Sequence, residues 1–79
     1  MDYQVFCEWL IDEKNMSQRA AHDVISRCRR ICKLTGDEVI SDTSLNRLLL
    51  VETFQNGSMF IKSQLKRAIS LYLEFMEVR

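Results

Sequence analysis

The stretch SQRAAHDVISRCRRICK, residues 17–33, has the apolar spacing of a long amphipathic helix. A helix turns about 100° per residue, which gathers the apolar side chains of this stretch in one arc of roughly 140°. That arc contains Ala20, Ala21, Val24, Ile25, Cys28, Ile31 and Cys32. Ser17 can accept a hydrogen bond from an early backbone N–H, and Gly36 supplies the left-handed residue that commonly ends a helix. The sequence therefore predicts a helix over residues 18–34.

Three further helices are predicted, because apolar residues recur at helical spacing in three other segments. Their predicted bounds are about 3–14, 44–54 and 59–77. Their predicted inward faces contain Val5, Phe6, Trp9 and Leu10, then Leu45, Leu48, Leu49 and Val51, and finally Ile61, Leu65, Ala68, Ile69, Leu71, Tyr72, Leu73, Phe75 and Met76. We expect Trp9 to anchor the core, the last helix to lie at the centre, and Val39 and Ile40 to pack onto the core. The sequence predicts one all-α domain over residues 1–79, a compact four-helix orthogonal bundle.

Composition narrows the class of protein further. The chain has 79 residues, 47% hydrophobic and 28% charged, which suits one small globular core. No apolar run approaches the roughly 20 residues that cross a bilayer, and the opening MDYQ lacks the pattern of a signal peptide. Three cysteines, an odd number, do not suggest a disulfide framework. We expect a cytoplasmic protein with no membrane partner.

Metal binding and catalysis find little support in the residue pattern. Cys28 and Cys32 lie four residues apart and could share a metal ion, but core packing of free cysteines is the favoured interpretation. His22, the only histidine, falls on a different face of the same helix. The acidic pairs at 12–13 and 37–38 are adjacent in sequence and do not converge as catalytic carboxylates do. We expect no enzyme activity, no metal site and no cofactor.

The charges are distributed unevenly although the formal net charge is zero. Residues 14–34 contain six basic side chains and one acid, and residues 59–79 contain four basic side chains and two acids. Residues 1–13 and 35–58 are acidic. The candidate binding residues are Arg19, Arg27, Arg29, Arg30 and Lys33 on the second predicted helix and Lys62, Lys66 and Arg67 on the fourth. They either contact the phosphates of duplex DNA or form ordinary solvated helix faces.

Two segments carry a family resemblance that covers nearly the whole chain. The runs FCEWLIDEKNMSQRAAHDVISRCRRICKL and SQLKRAISLYLEFM resemble the SAM-like N-terminal, core-binding domain of tyrosine recombinases and phage integrases. In that family the domain clamps one side of duplex DNA with basic helices, while a separate C-terminal domain carries catalysis. Ala20 and Ile25 stand where the family usually has Thr and an aromatic residue. The resemblance implies a SAM-like fold and no catalytic role for Arg30, His22 or Tyr72.

The sequence thus leads to two functional hypotheses. The first is a non-catalytic module that binds duplex DNA, either as the N-terminal domain of a larger DNA-processing protein or as a small protein that reuses the fold of that module. The second is a protein–protein interaction or self-assembly module that uses the same basic face or an exposed apolar strip around Ile69 and Leu73. DNA binding predicts that the two basic patches form one continuous surface. Partner binding predicts a contiguous exposed apolar patch instead.

Overall fold

A computed structural model describes residues 3–78 of the chain. It contains five helices: α1 (Gln4–Glu13), α2 (Gln18–Thr35), α3 (Ser44–Leu49), α4 (Glu52–Gln55) and α5 (Met59–Glu77). There is no strand among the described residues. The predicted all-α class is confirmed, and α1, α2 and α5 match the predicted helices 3–14, 18–34 and 59–77 to within one residue at each end.

The two long helices, α2 and α5, pack on each other and form the middle of the domain. Helix α1 contacts both of them, and α3 also contacts both. On α5 the buried residues are Leu65, Ala68, Ile69, Leu71, Tyr72 and Phe75, and on α2 they are Ala21, Val24, Ile25, Cys28, Ile31 and Cys32. The prediction that the last helix lies at the centre is confirmed, and α2 shares that position.

Local hydrogen bonds fix where both long helices begin. The Ser17 side chain accepts a hydrogen bond from the Ala20 backbone N–H at 3.1 Å, as the sequence predicts. Ser58 does the same for α5, accepting from the Ile61 backbone N–H at 3.2 Å. Each serine satisfies one of the backbone donors that a helix leaves unpaired at its N-terminus. Gly36 ends α2 in the left-handed conformation, with φ of 79°, so both predicted ends of α2 are confirmed.

The prediction of one helix over residues 44–54 is wrong, because the helix is interrupted after Leu50. Val51 is extended, with φ of −79° and ψ of 122°, and separates α3 from the one-turn helix α4. Leu48 and Phe54 are both buried. On a continuous helix these two side chains would lie about 120° apart, at the two margins of one apolar face. The extended Val51 changes the direction of the chain, and Phe54 of α4 still reaches the core.

Five aromatic side chains from α1 and α5 form one end of the core. Phe6 is 1% exposed, and its ring centroid lies 5.0 Å from that of Tyr72 and 5.1 Å from that of Phe75. Trp9 is only partly buried and packs at the edge of this cluster, with its centroid 5.5 Å from that of Phe75. Tyr3 completes the cluster, 6.2 Å from Tyr72. Phe6, rather than Trp9, is therefore the aromatic anchor.

Several side chains that were predicted to face inward are exposed. They are Val5, Val39, Leu49, Ile61 and Met76, with 37% to 53% of their surface accessible. Four of them, all but Ile61, lie beside a residue that takes the buried position, as Val39 does beside Ile40, which is 4% exposed. The apolar arcs that the sequence suggests are wider than the faces that the neighbouring helices cover.

Candidate functional site

Three basic side chains share the face of α2 that points away from the core. Counted around the helix from buried Cys28, Arg19, Arg30 and Lys33 lie about 180°, 200° and 140° away. All three are exposed. Helix α2 therefore presents a basic outward face, defined by Arg19, Arg30 and Lys33, on the side opposite its contact with α5.

The other two basic residues of α2 lie at the edges of this face. The Arg29 guanidinium stands over the Tyr3 ring, 5.4 Å from its centroid, and so links α2 to the beginning of α1. Such a cation–π contact holds the side chain without neutralising its charge. Arg27 lies at the opposite edge and is half-buried. The structure therefore spreads the five predicted arginines and lysines over two edges and one outward face.

None of these five side chains forms an ion pair with any of residues 3–78. The ion pairs in that part of the chain join Lys14 to Glu74, at 2.5 Å, and Arg47 to Asp37. Asp23 is the acid on α2 itself, and it is exposed close to the outward face. The outward face keeps an excess of positive charge that no described carboxylate contacts.

The basic residues of α5 lie on the sides of that helix that turn away from its buried Ala68. Counted from buried Ala68, Lys62 and Lys66 lie about 120° and 160° around the helix, and Arg67 lies about 100° in the other direction. The Lys62 ammonium stands 5.9 Å from the centroid of the Phe54 ring. Helices α2 and α5 meet at Cys28 and Ala68, where the Cys28 Sγ lies 3.9 Å from the Ala68 carbonyl oxygen, so their outward sides point away from each other. Lys66 therefore lies on the opposite side of the helix pair from the basic outward face of α2.

A groove between α1 and α2 was not anticipated from the sequence. It encloses about 660 Å³, and its rim on α2 includes His22, Ser26 and Arg29. Glu8 of α1 lines the same groove, so the groove carries both signs of charge. His22, Ser26 and Arg29 are spaced four and three residues apart, which places them along one edge of α2. This spacing was the sequence signal for the rim, and a count of apolar positions alone does not reveal it.

The buried thiols of α2 are held in their neutral form. Burial raises the pKa of Cys28 to about 12, and burial also raises the pKa of Cys32. The thiolate, and not the thiol, is the form that binds metals and acts as a nucleophile. Within residues 3–78, no group of three or more His, Cys, Asp or Glu side chains is arranged to hold a metal ion.

The apolar strip predicted around Ile69 and Leu73 is not exposed. Ile69 is 2% exposed and Leu73 is partly buried against the core, so this prediction is wrong. The exposed apolar residues concentrate elsewhere, where α3, α4 and the start of α5 follow one another. We call this region the apolar corner, and it comprises Leu49, Leu50, Met59, Phe60 and Ile61. Its sequence signal was two runs of consecutive apolar residues, at 48–51 and 59–61, because one helix face cannot bury three in a row.

No helix in the described part of the chain combines the length and the apolar character that a membrane span requires. Comparison of the chain with known protein families, with curated proteins and with solved structures yields no match.

Proposed function

We propose that this domain is a non-catalytic module that binds duplex DNA through the basic outward face of α2. The observation that carries the proposal is the exposure of Arg19, Arg30 and Lys33 with no ion pair to any described carboxylate. Free basic side chains on one helix face are suited to phosphate oxygens, which supply most of the affinity of sequence-independent DNA binding. The resemblance to the SAM-like core-binding domain supports the same ligand.

The spacing of these charges suits the width of a DNA groove. Arg19 and Arg30 are eleven residues apart, which corresponds to about 16 Å along the helix axis. The major groove is about 12 Å wide, so the two ends of α2 can contact phosphates on either side of it. Contacts of this kind position a protein on the duplex and do not read its sequence. The proposal therefore predicts binding with little sequence preference.

The proposal rests on α2 and not on a grip by two helices. Lys62, Lys66 and Arg67 were expected to contact the same duplex, but Lys66 lies on the opposite side of the helix pair. This difference supplies a matched control. The double variants Arg30→Glu/Lys33→Glu and Lys66→Glu/Arg67→Glu change the net charge of the chain by the same amount, and all four residues are exposed.

Fluorescence anisotropy of a short labelled duplex tests the proposal. For three phosphate contacts, the affinity of the wild type should fall roughly 200-fold between 20 and 150 mM salt. At low salt the α2 double variant should bind at least about 10-fold more weakly than the α5 double variant, with unchanged helicity of both. Equal losses in the two variants would show a response to net charge alone. Absence of wild-type binding at 20 mM salt would also refute the proposal.

A further inference from the structure

The three most exposed large hydrophobic side chains within residues 3–78 all lie in the apolar corner. Leu50 is 81% exposed, Met59 is 84% exposed and Phe60 is 72% exposed. Five of the large hydrophobic side chains that are exposed within residues 3–78 fall between residues 49 and 61. Concentrations of exposed apolar side chains mark interaction surfaces, whereas isolated ones need no explanation.

The corner is held in place by ordered contacts of its own. The Gln55 side-chain amide donates a hydrogen bond to the Leu49 carbonyl at 2.8 Å, which ties α4 to the end of α3. Phe54 of α4 is buried in the core, and Ser58 caps the helix that carries Met59. A surface that is already ordered loses less conformational entropy when a partner covers it. The apolar corner can therefore bind a partner at a lower cost in conformational entropy.

We infer that the apolar corner is a self-association surface, and that its occupant is the same corner of a second copy of this chain. The formal net charge of the chain is zero, so two copies do not repel each other. Charged residues of opposite sign adjoin the corner: Glu52 begins α4, between its two parts in sequence, and Lys62 and Lys66 lie on the face of α5 that carries Met59, about one and two turns further along. In a twofold arrangement each patch meets itself, so Glu52 of each copy can approach the lysines of the other.

The proposed self-association does not depend on DNA binding. The corner lies on α3, α4 and the start of α5, whereas the basic outward face lies on α2. Self-association through the corner requires no residue of the proposed DNA-binding face. Failure of either proposal therefore leaves the other intact, and the two are measured by different experiments.

Sedimentation velocity of the wild-type chain between 5 and 500 µM tests the inference. The monomer has a mass of 9.3 kDa, and a dimer of twice that mass should accumulate as the concentration rises. Leu50→Ser/Phe60→Ser should weaken the dimer at least about 30-fold, since large side chains near the centre of an interface carry most of its binding energy. Both residues are exposed, so the far-UV circular dichroism of the variant should match that of the wild type.

Two further variants make the test specific. Val5→Ser/Met76→Ser removes exposed apolar side chains outside the corner, 53% and 47% accessible, and should leave the dimer unchanged. Glu52→Lys should weaken the dimer, and adding Lys66→Glu should restore part of the loss. A wild type that stays monomeric at 500 µM overturns the inference. So does an equal loss of dimer in the control variant.

Discussion

Cys28 and Tyr3 are the residues whose ionisation is most changed by folding. Burial, followed by the charge of Cys32, raises the pKa of Cys28 from 9.0 to about 12. Burial, followed by the nearby Cys32 and Cys28 thiols, raises the pKa of Tyr3 above its usual range. Cys28, Cys32 and Tyr3 are all neutral when protonated, so each rise in pKa means that the folded protein disfavours the negatively charged form. None of them contributes to the charge of the surface at neutral pH.

These shifts predict that the protein loses stability in alkaline solution. Above pH 9 the unfolded chain releases the Cys28 proton while the folded chain retains it. This ionisation lowers the free energy of the unfolded state relative to the folded state. The contribution of Cys28 to stability is complete below pH 9 and is lost as the pH rises towards 12. The expected slope is about 1.4 kcal/mol per pH unit for this thiol. Urea unfolding at pH 8, 9.5 and 10.5, followed by circular dichroism, measures it.

Cys28→Ala separates this thiol from the other groups. The variant should be less stable than the wild type at pH 8, because a buried side chain has been made smaller. Its free energy of unfolding should then fall less steeply with pH, since Cys32 and Tyr3 remain to supply the rest of the slope. Identical slopes in the wild type and in Cys28→Ala would contradict the burial that we assign to Cys28.

At the scale of the helix, Gly36 tests how α2 ends. Its φ of 79° lies in the left-handed region, and a Cβ added there would have no neighbouring atom within 4 Å. The cost of Gly36→Ala is therefore conformational and should be about 1 kcal/mol. Gly36→Asn has a side chain of greater size and should cost less, because asparagine tolerates this conformation better. Urea unfolding of the three proteins at pH 7 gives the comparison.

The relative stability of Gly36→Ala and Gly36→Asn distinguishes a limit set by backbone conformation from a limit set by side-chain size. If Gly36→Asn were the less stable of the two, side-chain size and not backbone conformation would limit the position, contrary to the open space around it. The protein itself offers a parallel, because Asn15 adopts a φ of 55° in the connection between α1 and α2.

Local signals explain which elements could be predicted from the sequence. Ser17 and Gly36 mark the ends of α2 through bonds and dihedrals within a few residues, so sequence alone locates them. The break at Val51 depends on where Leu48 and Phe54 meet the rest of the core, which is a tertiary property. The run of three leucines before the break also continues the apolar pattern and conceals it. A periodicity count therefore merged α3 and α4 into one helix.

The candidate site also has a part that the sequence predicts and a part that it does not. The outward position of Arg19, Arg30 and Lys33 follows from their angle to the apolar arc of α2, which the sequence contains. Whether Lys66 joins them depends on how α5 docks against α2. That relation arises from packing between distant segments, and no spacing within either helix encodes it. The sequence thus predicts the face on one helix but not its separation from the basic residues of the other.

At the scale of the whole molecule, a neutral chain folds into a body with charge separated over its surface. The domain measures 35 × 22 × 17 Å, and α2 extends about 27 Å through it. The basic outward face, from Arg19 to Lys33, spans about 21 Å of that helix, more than half of the longest dimension of the domain. A zero net charge gives little attraction at long range, while a face of this length can still orient the domain on a polyanion nearby.

One core also predicts one cooperative unfolding transition, with Phe6 at its centre. Phe6→Leu removes ring contacts with Tyr72 and Phe75 and should lower the free energy of unfolding by about 1–3 kcal/mol. Its sequence neighbour is the matched control: Val5 is 53% exposed, and Val5→Ala should change stability by no more than about 0.5 kcal/mol. Within each of the three proteins, Trp9 fluorescence and far-UV circular dichroism should report the same urea midpoint as each other, because small domains unfold as one unit. If Phe6→Leu shifted the fluorescence midpoint and left the circular dichroism midpoint in place, the aromatic cluster would be a separate unit of stability. The contacts of α5 with both α1 and α2 argue against that outcome, since loosening Phe6 also loosens the face of α5 on which α2 rests.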